Sequence, residues 1–428
     1  MSEFEYLKRM FKSYYKDNKS KISLVSSLEN REFGYIPWEK KFFMKRHISF
    51  NLLDKMKHFL IDEGPRHVYS SGAIYLDPEI QDMNGKHYQG CDLIIDIDAD
   101  HFYTPCKEAH DYWYCEECGE YGKGMVKKCK KCGKTKIKTL TWICETCLNI
   151  TKNEIIKLIY DFLIPDFGIE LDQIKIAFSG HRGYHLKIED EQIKTLSSED
   201  RREIADYISG ENISFKTLGL QERSGIFYTF SSDTAGWPQK IFRKILEILT
   251  KPDLEIQNIL SNDKKFNFSP NLIKSFLNYK QDFINRIQNK REYILPSIEG
   301  FAIGNWKKFF KGIVHEVGVE IDTPVTVDIH RLIRYPGSLH GKTGFRVQEI
   351  YPDDLDDFNP LDENREKFDP IVFKSKVDTT QKVEIIEEQV PLTKIKGESF
   401  GPYTKGQKVE VPHHIAIFLL CKEVAKII

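Results

Sequence analysis

Long apolar runs are missing from this sequence, and so is a large net charge of either sign. No run of 18 apolar residues occurs, and Met1 to Lys12 mix charged with apolar side chains, which argues against a membrane-spanning helix or a signal segment. The 63 lysines and arginines nearly balance the 64 aspartates and glutamates, so net charge gives no argument for a polyanionic partner. We therefore expect a cytoplasmic protein with no membrane partner.

Cysteine is almost absent outside one segment. Of nine cysteines, eight fall between Cys91 and Cys147. In a cytoplasmic protein, C-x-x-C pairs bind zinc far more often than they form disulfides. We therefore expect a zinc-binding module in this segment. The spacing of a four-cysteine zinc ribbon occurs in two successive pairs, Cys115, Cys118, Cys129 and Cys132.

Charge that is balanced over the whole chain is uneven within it. Between Tyr121 and Leu140 there are eight lysines and no acidic residue. Such a run has two interpretations: a solvated face, or a surface that follows a polyanion. The sequence does not choose between them.

Two carboxylates alternate within an apolar segment, Leu93 to Asp98. The alternation predicts a strand with Leu93, Ile95 and Ile97 on one face and Asp96 and Asp98 on the other. Carboxylates two apart on a strand can hold one or two divalent cations, although such a pair also occurs on solvated sheet faces. The apolar flanks favour a central strand. Asp92 and Asp100 would lie on the same face as Asp96 and Asp98. Alternation alone therefore does not show which two carboxylates bind metal.

A glycine-rich turn follows a second predicted strand, Ile174 to Phe178. It runs from Ser179 to His185 and reads SGHRGYH. Glycines permit a tight turn whose backbone amides, with Ser179 and Arg182, can hold phosphate oxygens. The alternative interpretation is a hairpin that carries Arg182 and His185 on its surface.

A third segment, from Val325 to Gly344, combines a carboxylate with a dense group of cations. Apolar and polar residues alternate from Val325 to Ile329, which predicts a strand that presents Asp328 as a third carboxylate. Cationic groups then surround a Pro-Gly-Ser turn, a density suited to a triphosphate. The alternative is a basic surface loop. The cationic groups are Arg331, Arg334, His340 and Lys342.

Together the three segments resemble the motifs of the archaeal and eukaryotic-type DNA primase small (catalytic) subunit. These motifs are a D-x-D strand, an S-G-x-R-G-x-H turn and a distal Asp followed by R-x-P-G-S-L-H-G-K-T-G. The resemblance extends to Arg31–Gly34, Arg46-His47 and Pro412–Cys421, and so covers nearly the whole chain.

The resemblance implies a role for each matching residue. The catalytic carboxylates that bind two Mg²⁺ or Mn²⁺ ions fall on Asp96, Asp98 and Asp328. The nucleotide contacts fall on Ser179, Arg182, His185, Arg334, His340, Lys342 and Arg46. The eukaryotic members have two successive arginines in this turn, whereas this chain, like many archaeal relatives, has His181 and then Arg182.

The resemblance also implies a structural zinc knuckle after the D-x-D strand. Its ligands fall on Cys106, His110, Cys144 and Cys147, the last pair coming before a helix expected to open at Thr151. The four-cysteine ribbon then looks like an insertion. We expect two zinc ions, with a single ion bound by either set as the alternative.

The expected fold is mixed α/β, a primase catalytic core with a zinc-binding module and a mainly helical insertion. The expected segments are the N-terminal core with the D-x-D strand (1–105), the zinc module (106–148), core with the phosphate-binding turn (149–196), the helical insertion (197–300), and core with the third carboxylate and a C-terminal helix (301–428).

The resemblance implies template-directed primer synthesis with a large primase subunit as partner, single-stranded DNA as template and nucleoside triphosphates as substrates. One rival is a repair-type primase-polymerase, which shares the carboxylate strand and the phosphate turn. The other is a zinc-ribbon protein that binds nucleic acid without catalysis. The second rival leaves the three carboxylates unexplained, and the zinc knuckle and helical insertion argue against the first.

Overall fold

A computed structural model describes residues 2–262, 265–289, 293–362, 368–374 and 379–428. Within these residues, helices and several sheets alternate, which confirms the mixed α/β fold class. No helix in the described part of the chain is long and apolar enough to cross a membrane.

The helices are α1 (Glu3–Asp17), α2 (Leu53–Glu63), α3 (Lys107–His110), α4 (Glu145–Lys157), α5 (Ile164–Phe167), α6 (Ser198–Ser209), α7 (Phe215–Leu218), α8 (Trp237–Leu249), α9 (Asp253–Asn262), α10 (Pro270–Asn278), α11 (Lys280–Gln288), α12 (Ile303–Val317), α13 (Thr323–Val327) and α14 (His413–Cys421). A π-helical stretch, Leu158–Leu163, joins α4 to α5.

The strands are β1 (Phe33–Ile36), β2 (Lys45–Ile48), β3 (His67–Ser71), β4 (Ala73–Tyr75), β5 (Tyr88–Cys91), β6 (Leu93–Asp98), β7 (Tyr112–Cys115), β8 (Tyr121–Lys123), β9 (Ile137–Leu140), β10 (Ile174–Phe178), β11 (Gly183–Ile188), β12 (Gln221–Arg223), β13 (Ile226–Tyr228), β14 (Leu332–Arg334), β15 (Gln348–Ile350), β16 (Thr380–Ile385), β17 (Gln389–Val390), β18 (Thr393–Ile395), β19 (Glu398–Phe400), β20 (Tyr403–Thr404), β21 (Lys408–Pro412) and β22 (Ala425–Ile427).

The chain forms two compact units. The first comprises Met1–Ile155, Glu170–Arg202 and Ile321–Ile428, and the second comprises Ile156–Ile169 and Glu203–Glu320. The first unit contains all three predicted motifs and both cysteine sets. The second is mainly helical and includes most of the segment expected to be a helical insertion.

One four-stranded sheet of the first unit has the order β15-β10-β11-β6, with antiparallel neighbours. Its register places His185 opposite Asp96 and Gly183 opposite Asp98. The D-x-D strand and the glycine-rich turn are therefore adjacent. β6 ends this sheet, so the expectation of a central strand is wrong. On the outer edge of β6, the backbone N–H of Asp322 donates to the carbonyl of Asp96 (2.9 Å). The segment around Asp322 therefore covers the edge of this apolar strand.

The second four-stranded sheet has the order β14-β3-β1-β2 and brings the basic loop into the core of the same unit. Arg334 ends β14 and lies opposite Tyr69 of β3. Apolar residues of α1, α2 and α14 form one buried cluster with β1, β3 and the loop residues Tyr335 and Leu339. The loop that follows Arg334 is thus anchored by the hydrophobic core.

The expected strand from Val325 to Ile329 is wrong, because this segment is mainly the short helix α13. Asp322 occupies the N-cap and Pro324 the second helical position, where a missing N–H costs nothing. Asp328 caps the other end of the helix. The alternation of apolar residues from Val325 to Ile329 therefore does not mark a strand. Asp328 is not brought beside the β6 carboxylates in the way that a strand would have placed it.

The helix expected to begin at Thr151 begins six residues earlier, at Glu145. The Thr151 hydroxyl donates to the carbonyl of Cys147 (2.7 Å), the usual bond of a threonine inside a helix, instead of capping the helix. Cys147 consequently lies in the first turn of α4, close to Cys144.

A buried ion pair is a polar centre of the second unit. Lys240 of α8 contacts both carboxylate oxygens of Asp166 in α5 (2.7 and 2.5 Å), and both side chains are more than nine-tenths buried. The Tyr207 hydroxyl also donates to Asp166 (2.9 Å). The desolvated carboxylate is thereby satisfied by a charge and a hydroxyl.

Lys240→Met should destabilise the protein by about 3–5 kcal/mol, because it leaves the Asp166 carboxylate buried without its cation. Arg243→Met is the control, since it removes an ion pair to Asp161 whose arginine is mostly exposed (2.7 Å) and should cost under about 1 kcal/mol. Thermal and denaturant unfolding measure both. Equal losses in the two variants would contradict a special role for the buried pair.

Candidate active site

Carboxylates meet at the end of β6. Asp96 and Asp98 share one face of the strand, and potential ligand atoms of Asp96, His101 and Asp322 lie within 4.8 Å of one another. A second set with the same spacing is formed by Asp98, Asp100 and His181. The structure thus brings the predicted Asp96 together with Asp322, which sequence reasoning missed, and places the predicted Asp98 in the second set.

Asp328, the predicted third carboxylate, joins neither of these two sets of the described residues. Its Oδ1 instead accepts the backbone N–H of His330 (2.9 Å). The signal that could have identified Asp322 is the Asp-Thr-Pro sequence, which is typical of a helix start and would have excluded a strand for the residues that follow.

The Asp96 site fits a cation. Asp96 Oδ1 is buried and accepts no hydrogen bond within the described residues. Nε2 of His185 lies 3.4 Å from this oxygen, and burial with the charges of Arg334 and Arg331 lowers the pKa of His185 to about 3. Burial with the charges of Asp98 and Asp322 raises the pKa of Asp96 to about 8. Hard oxygen ligands that lack a positive partner are suited to Mg²⁺ or Mn²⁺.

The glycine-rich turn stabilises its own backbone. Ser179 is buried, and its hydroxyl oxygen accepts the N–H groups of His181 (3.4 Å) and Gly183 (3.3 Å). The Ser179 N–H in turn donates to the carbonyl of Gly183 (2.9 Å). Ser179 therefore holds the shape of the turn in this structure.

Two glycines let this turn approach its neighbours. Gly180 has φ +83°, and a Cβ there would lie 2.6 Å from the Cβ of His340. A Cβ on Gly183 would lie 2.8 Å from the Ile97 carbonyl of β6. The turn is thus packed between the carboxylate strand and the basic loop, at distances that only glycine allows.

Arg182, a predicted phosphate contact, is bound to groups of the protein itself. Its side chain is fully buried, and Nε donates to Asp100 (2.6 Å) while both terminal nitrogens donate to Asp111 (3.0 Å). It also donates to the carbonyl of Trp142 (2.9 Å). These contacts use the guanidinium to hold the turn. The sequence could not show this, because an arginine fork suits a carboxylate as well as a phosphate.

Arg334 faces the carboxylate region from the second sheet. Its Nη1 donates to Nδ1 of His67 (2.7 Å) and to the Tyr69 hydroxyl (3.1 Å). The positive charge of Arg334 contributes to the low pKa of His185 and acts to lower that of Asp96, so it lies within electrostatic range of both. Its guanidinium is only partly buried.

His340 is buried and uncharged next to Arg334. Burial and the charge of Arg334 lower its pKa far below the usual value. Its Nδ1 accepts the backbone N–H of Lys342 (3.2 Å), which leaves the proton on Nε2 as a donor. Lys342 is exposed, so the loop presents a neutral donor and a cation together.

Two further residues missed by sequence reasoning, His67 and Lys422, hold the histidines in place. The ring of His181 stacks on His340 (5.4 Å between centroids, 6° between planes), and His67 contacts His340 edge-on (4.9 Å). Lys422 of the C-terminal segment donates to His181 Nε2 (2.7 Å). Lys422 is far from His181 in the sequence, so no local sequence pattern predicts this contact.

Arg46, another predicted nucleotide contact, is tied to Glu32. Its guanidinium donates to both Glu32 oxygens (2.8 and 3.3 Å), and the Glu32 carboxylate is fully buried. Lys86 also contacts Glu32 (3.3 Å). Arg46 remains about one-third exposed and so can still meet a ligand.

A cavity of about 340 Å³ lies between the two four-stranded sheets. One side is lined by Ile94, His185 and Lys187, and the other by Ser70 and Arg334. The cavity therefore shares His185 and Arg334 with the carboxylate and cation groups described above.

The two predicted cysteine sets are both assembled. Cys106, His110, Cys144 and Cys147 form one group, and Cys115, Cys118, Cys129 and Cys132 form the other, each with its ligand atoms within 4.8 Å. All nine cysteines are free of disulfides. Each group can hold a metal ion in a four-ligand site with no open position.

A buried carboxylate supports the histidine of the first group. His110 Nε2 faces Cys147 (3.4 Å), while its Nδ1 contacts Asp111 (2.9 Å). Burial acts to raise the pKa of Asp111, but the hydrogen bond to His110 and the charge of Arg182 hold it below its usual value. Metal-bound histidines typically have such a carboxylate behind them.

The family model of the DNA primase small subunit matches residues 138–351, half of the chain. Similarity to proteins called DNA primase small subunit PriS covers nearly all of it. The protein of Methanothrix thermoacetophila is 31% identical over 99% of this chain and 98% of its own length, and that of Methanocella arvoryzae is 30% identical over 97% and 96%. That of Nitrosopumilus maritimus is 29% identical over 100% and 99%.

The chain belongs to the DNA primase small subunit family. The resemblance inferred from the three motifs is thus confirmed, and the chain is an enzyme of the primase class. Asp96, Asp98 and most of the cysteines precede the residues matched by the family model but lie within the full-length similarity.

Asp111→Asn should lower metal affinity at the His110 site by roughly 10–100-fold, because His110 loses its carboxylate partner. Competition with a chromogenic zinc chelator measures this. Asp100→Asn is the matched control, since Asp100 also binds Arg182 but contacts no cysteine-set ligand. Equal zinc retention in both variants would show that Asp111 does not support the ligand.

Mn²⁺ affinity should rise with pH and level off above about 8. The folded-state pKa of Asp96 is raised, so protonation stabilises the metal-free fold at low pH, and this stabilisation is lost as pH rises through about 8. Below that pH a cation must displace the proton of Asp96, so Mn²⁺ affinity should fall by up to about tenfold for each pH unit below 8. Thermal shifts with Mn²⁺ measure the effect. Asp96→Asn should lose the pH dependence, and a flat profile in the unchanged protein would contradict the account.

Proposed function

We propose that this chain synthesises primers on single-stranded DNA by template-directed nucleotidyl transfer. The observation that carries the proposal is the group of carboxylates around Asp96 at the end of β6, where Asp98 and Asp322 both act on Asp96 and Arg334 faces it from the second sheet. Carboxylates beside a cationic pocket are what a reaction at a nucleoside triphosphate requires. Membership of the family supports the same reaction.

Asp96, Asp98 and Asp322 would hold one or two Mg²⁺ or Mn²⁺ ions. Such ions supply an activated attacking oxygen and charge stabilisation for the leaving group. The proposal replaces Asp328 by Asp322 as third ligand, because Asp322 contacts the β6 edge and Asp328 does not meet the cluster. Asp98 also accepts the backbone N–H of Asp100 (2.9 Å), which fixes its carboxylate.

The triphosphate would lie against the basic loop. Arg334 supplies a planar cation, His340 a neutral N–H donor and Lys342 a second cation on an exposed stem. The cavity between the sheets would take the rest of the nucleotide, with His185 at its boundary. As a primer 3′-hydroxyl attacks the α-phosphorus, the hydroxyl loses its proton and pyrophosphate leaves toward these cations.

Not every predicted contact has the same role in the proposal. Ser179 and Arg182 would act as positioning residues, because both are buried and use their donors and acceptors within the protein. Arg46, partly exposed and oriented by Glu32, would meet the substrate or template directly. His181 would position His340 through their stacked rings.

Both cysteine sets would bind zinc. Thiolates with one imidazole, or four thiolates, form the closed tetrahedral sites of structural zinc. These ions would stabilise the segment between β6 and α4, and neither offers an open position for catalysis. The relatives are called small subunits, which supports a heterodimer with a large primase subunit.

The experiment compares Asp322→Asn with Asp328→Asn on unprimed single-stranded DNA with nucleoside triphosphates and Mn²⁺ or Mg²⁺. Asp322→Asn should reduce primer synthesis roughly a hundredfold or more, because it removes a charge at the reacting centre. Asp328→Asn should retain activity within about threefold. Gel analysis of labelled products measures both.

Each other outcome has a defined meaning. Loss of activity in Asp328→Asn alone would overturn Asp322 as the third ligand and return the assignment to Asp328. Undiminished synthesis with Asp96→Asn and Asp98→Asn would refute the metal site. No product from the unchanged chain, with or without a supplied primer, would favour a nucleic-acid-binding protein without catalysis.

A further inference from the structure

The inserted four-cysteine module contains an open groove that the proposed reaction does not use. The groove has a volume of about 340 Å³ and lies beside β7 and β8. Its lining combines an indole, a phenol, a lysine pair and a single carboxylate. The lining residues are Trp113, Glu120, Tyr121, Gly122, Lys130 and Lys131.

An unpartnered donor lies at the floor of this groove. Trp113 is 2% exposed, and its indole Nε1–H has no acceptor within the described residues. Buried indoles usually donate a hydrogen bond, so an orphaned one requires an explanation. Gly122 lies over it, and a Cβ there would be 2.9 Å from Nε1. Gly122 thus places no side chain over the buried donor, and Trp113 lines the groove.

Tyr121 forms an aromatic wall of the groove. The residue is 41% exposed, and its ring stacks on Tyr114 (6.0 Å between centroids, 21° between planes). The Tyr114 hydroxyl is held by the carbonyl of Gln389 (3.0 Å). Tyr121 is therefore a supported ring with an accessible surface, as required for stacking a nucleobase.

The charge around the groove is positive. Glu120 is offset by Lys131 (3.2 Å). Several other lysines of the module have no carboxylate partner within the described part of the chain. A divalent ion bound by four thiolates has a net charge of about −2, which these lysines exceed. The excess charge is therefore not explained by the metal site alone. These lysines are Lys123, Lys127, Lys128, Lys130 and Lys134.

We propose that this groove binds the single-stranded DNA template. A phosphate oxygen accepts from the Trp113 indole N–H, Lys130 pairs with the phosphodiester backbone, and a base stacks on Tyr121. The assignment of DNA as the ligand rests on the proposed function. Aromatic stacking combined with cations that follow the backbone is the usual mode of sequence-independent binding to single strands.

The chemistry favours a nucleic acid over an acidic peptide. Lysines alone would suit either polyanion, but a stacked tyrosine with an open face matches a base, which an acidic peptide does not have. A duplex offers no exposed base face to Tyr121. The groove should therefore prefer single strands to duplexes.

The test measures affinity of the full chain for a labelled oligothymidine by fluorescence anisotropy, without nucleoside triphosphate. The double variant Tyr121→Ala/Lys130→Gln should bind about tenfold or more weakly, and its salt dependence should fall by about 0.7 in log–log slope. The matched control is Tyr351→Ala/Lys394→Gln, which changes an exposed tyrosine and an exposed lysine elsewhere in the same unit and should bind as the unchanged chain does.

Zinc content and thermal midpoint verify that the variant module is folded. If the double variant loses zinc, the single variant Lys130→Gln, which changes only an exposed charge, is measured instead. Its salt dependence should fall by the same amount, about 0.7 in log–log slope. Affinity within twofold of the unchanged chain would overturn the proposal. Equal loss for duplex and single strand would overturn the stacking contact.

The two proposals fail separately. A chain that binds DNA through the groove but makes no primer would refute only the proposed function. A chain that makes primers while the double variant binds DNA normally would refute only the groove. At saturating template the double variant should polymerise at the normal kcat, since its residues lie outside the carboxylate cluster.

Discussion

The buried guanidinium of Arg182 is the constraint on which the site depends. It joins Asp100, just beyond the D-x-D strand, to Asp111, which supports a histidine of the first cysteine set. A buried charge is stable only if its partners are present and well oriented, and losing one partner typically costs about 3–5 kcal/mol. The segment that carries the cysteines and the turn that carries Arg182 therefore hold each other in register with β6.

This arrangement explains how opposite charges are assembled without neutralising one another. The carboxylates lie on β6 and the loop before α13, whereas Arg334 and the buried histidines lie on the second sheet and its following loop. The turn between them is built on Gly180 and Gly183, so the two groups approach closely. Asp96 Oδ1 is left without a hydrogen-bond donor in the described residues, and that is the state a cation would complete.

Features with a local period or spacing were predictable from the sequence. The strand at Leu93–Asp98, the strand before the turn and the four-cysteine ribbon follow from alternation and ligand spacing, and the structure has them. The first cysteine set was implied by the family resemblance, and the structure assembles it as well. The approach of Asp322 to Asp96 was not predictable in this way, because the residues after Asp322 alternate in polarity but form a helix. Arg182 and Lys422 were beyond local reasoning for another reason: their partners come from distant segments, and charge alone does not identify them.

The most direct test of the central claim is the position of Mn²⁺ in crystals grown with a nonhydrolysable nucleoside triphosphate, located by its anomalous scattering. The account predicts at least one ion within about 2.0–2.6 Å of carboxylate oxygens of Asp96, Asp98 and Asp322, with the phosphates against Arg334 and His340. An ion held by Asp328, or none at the end of β6, would contradict it.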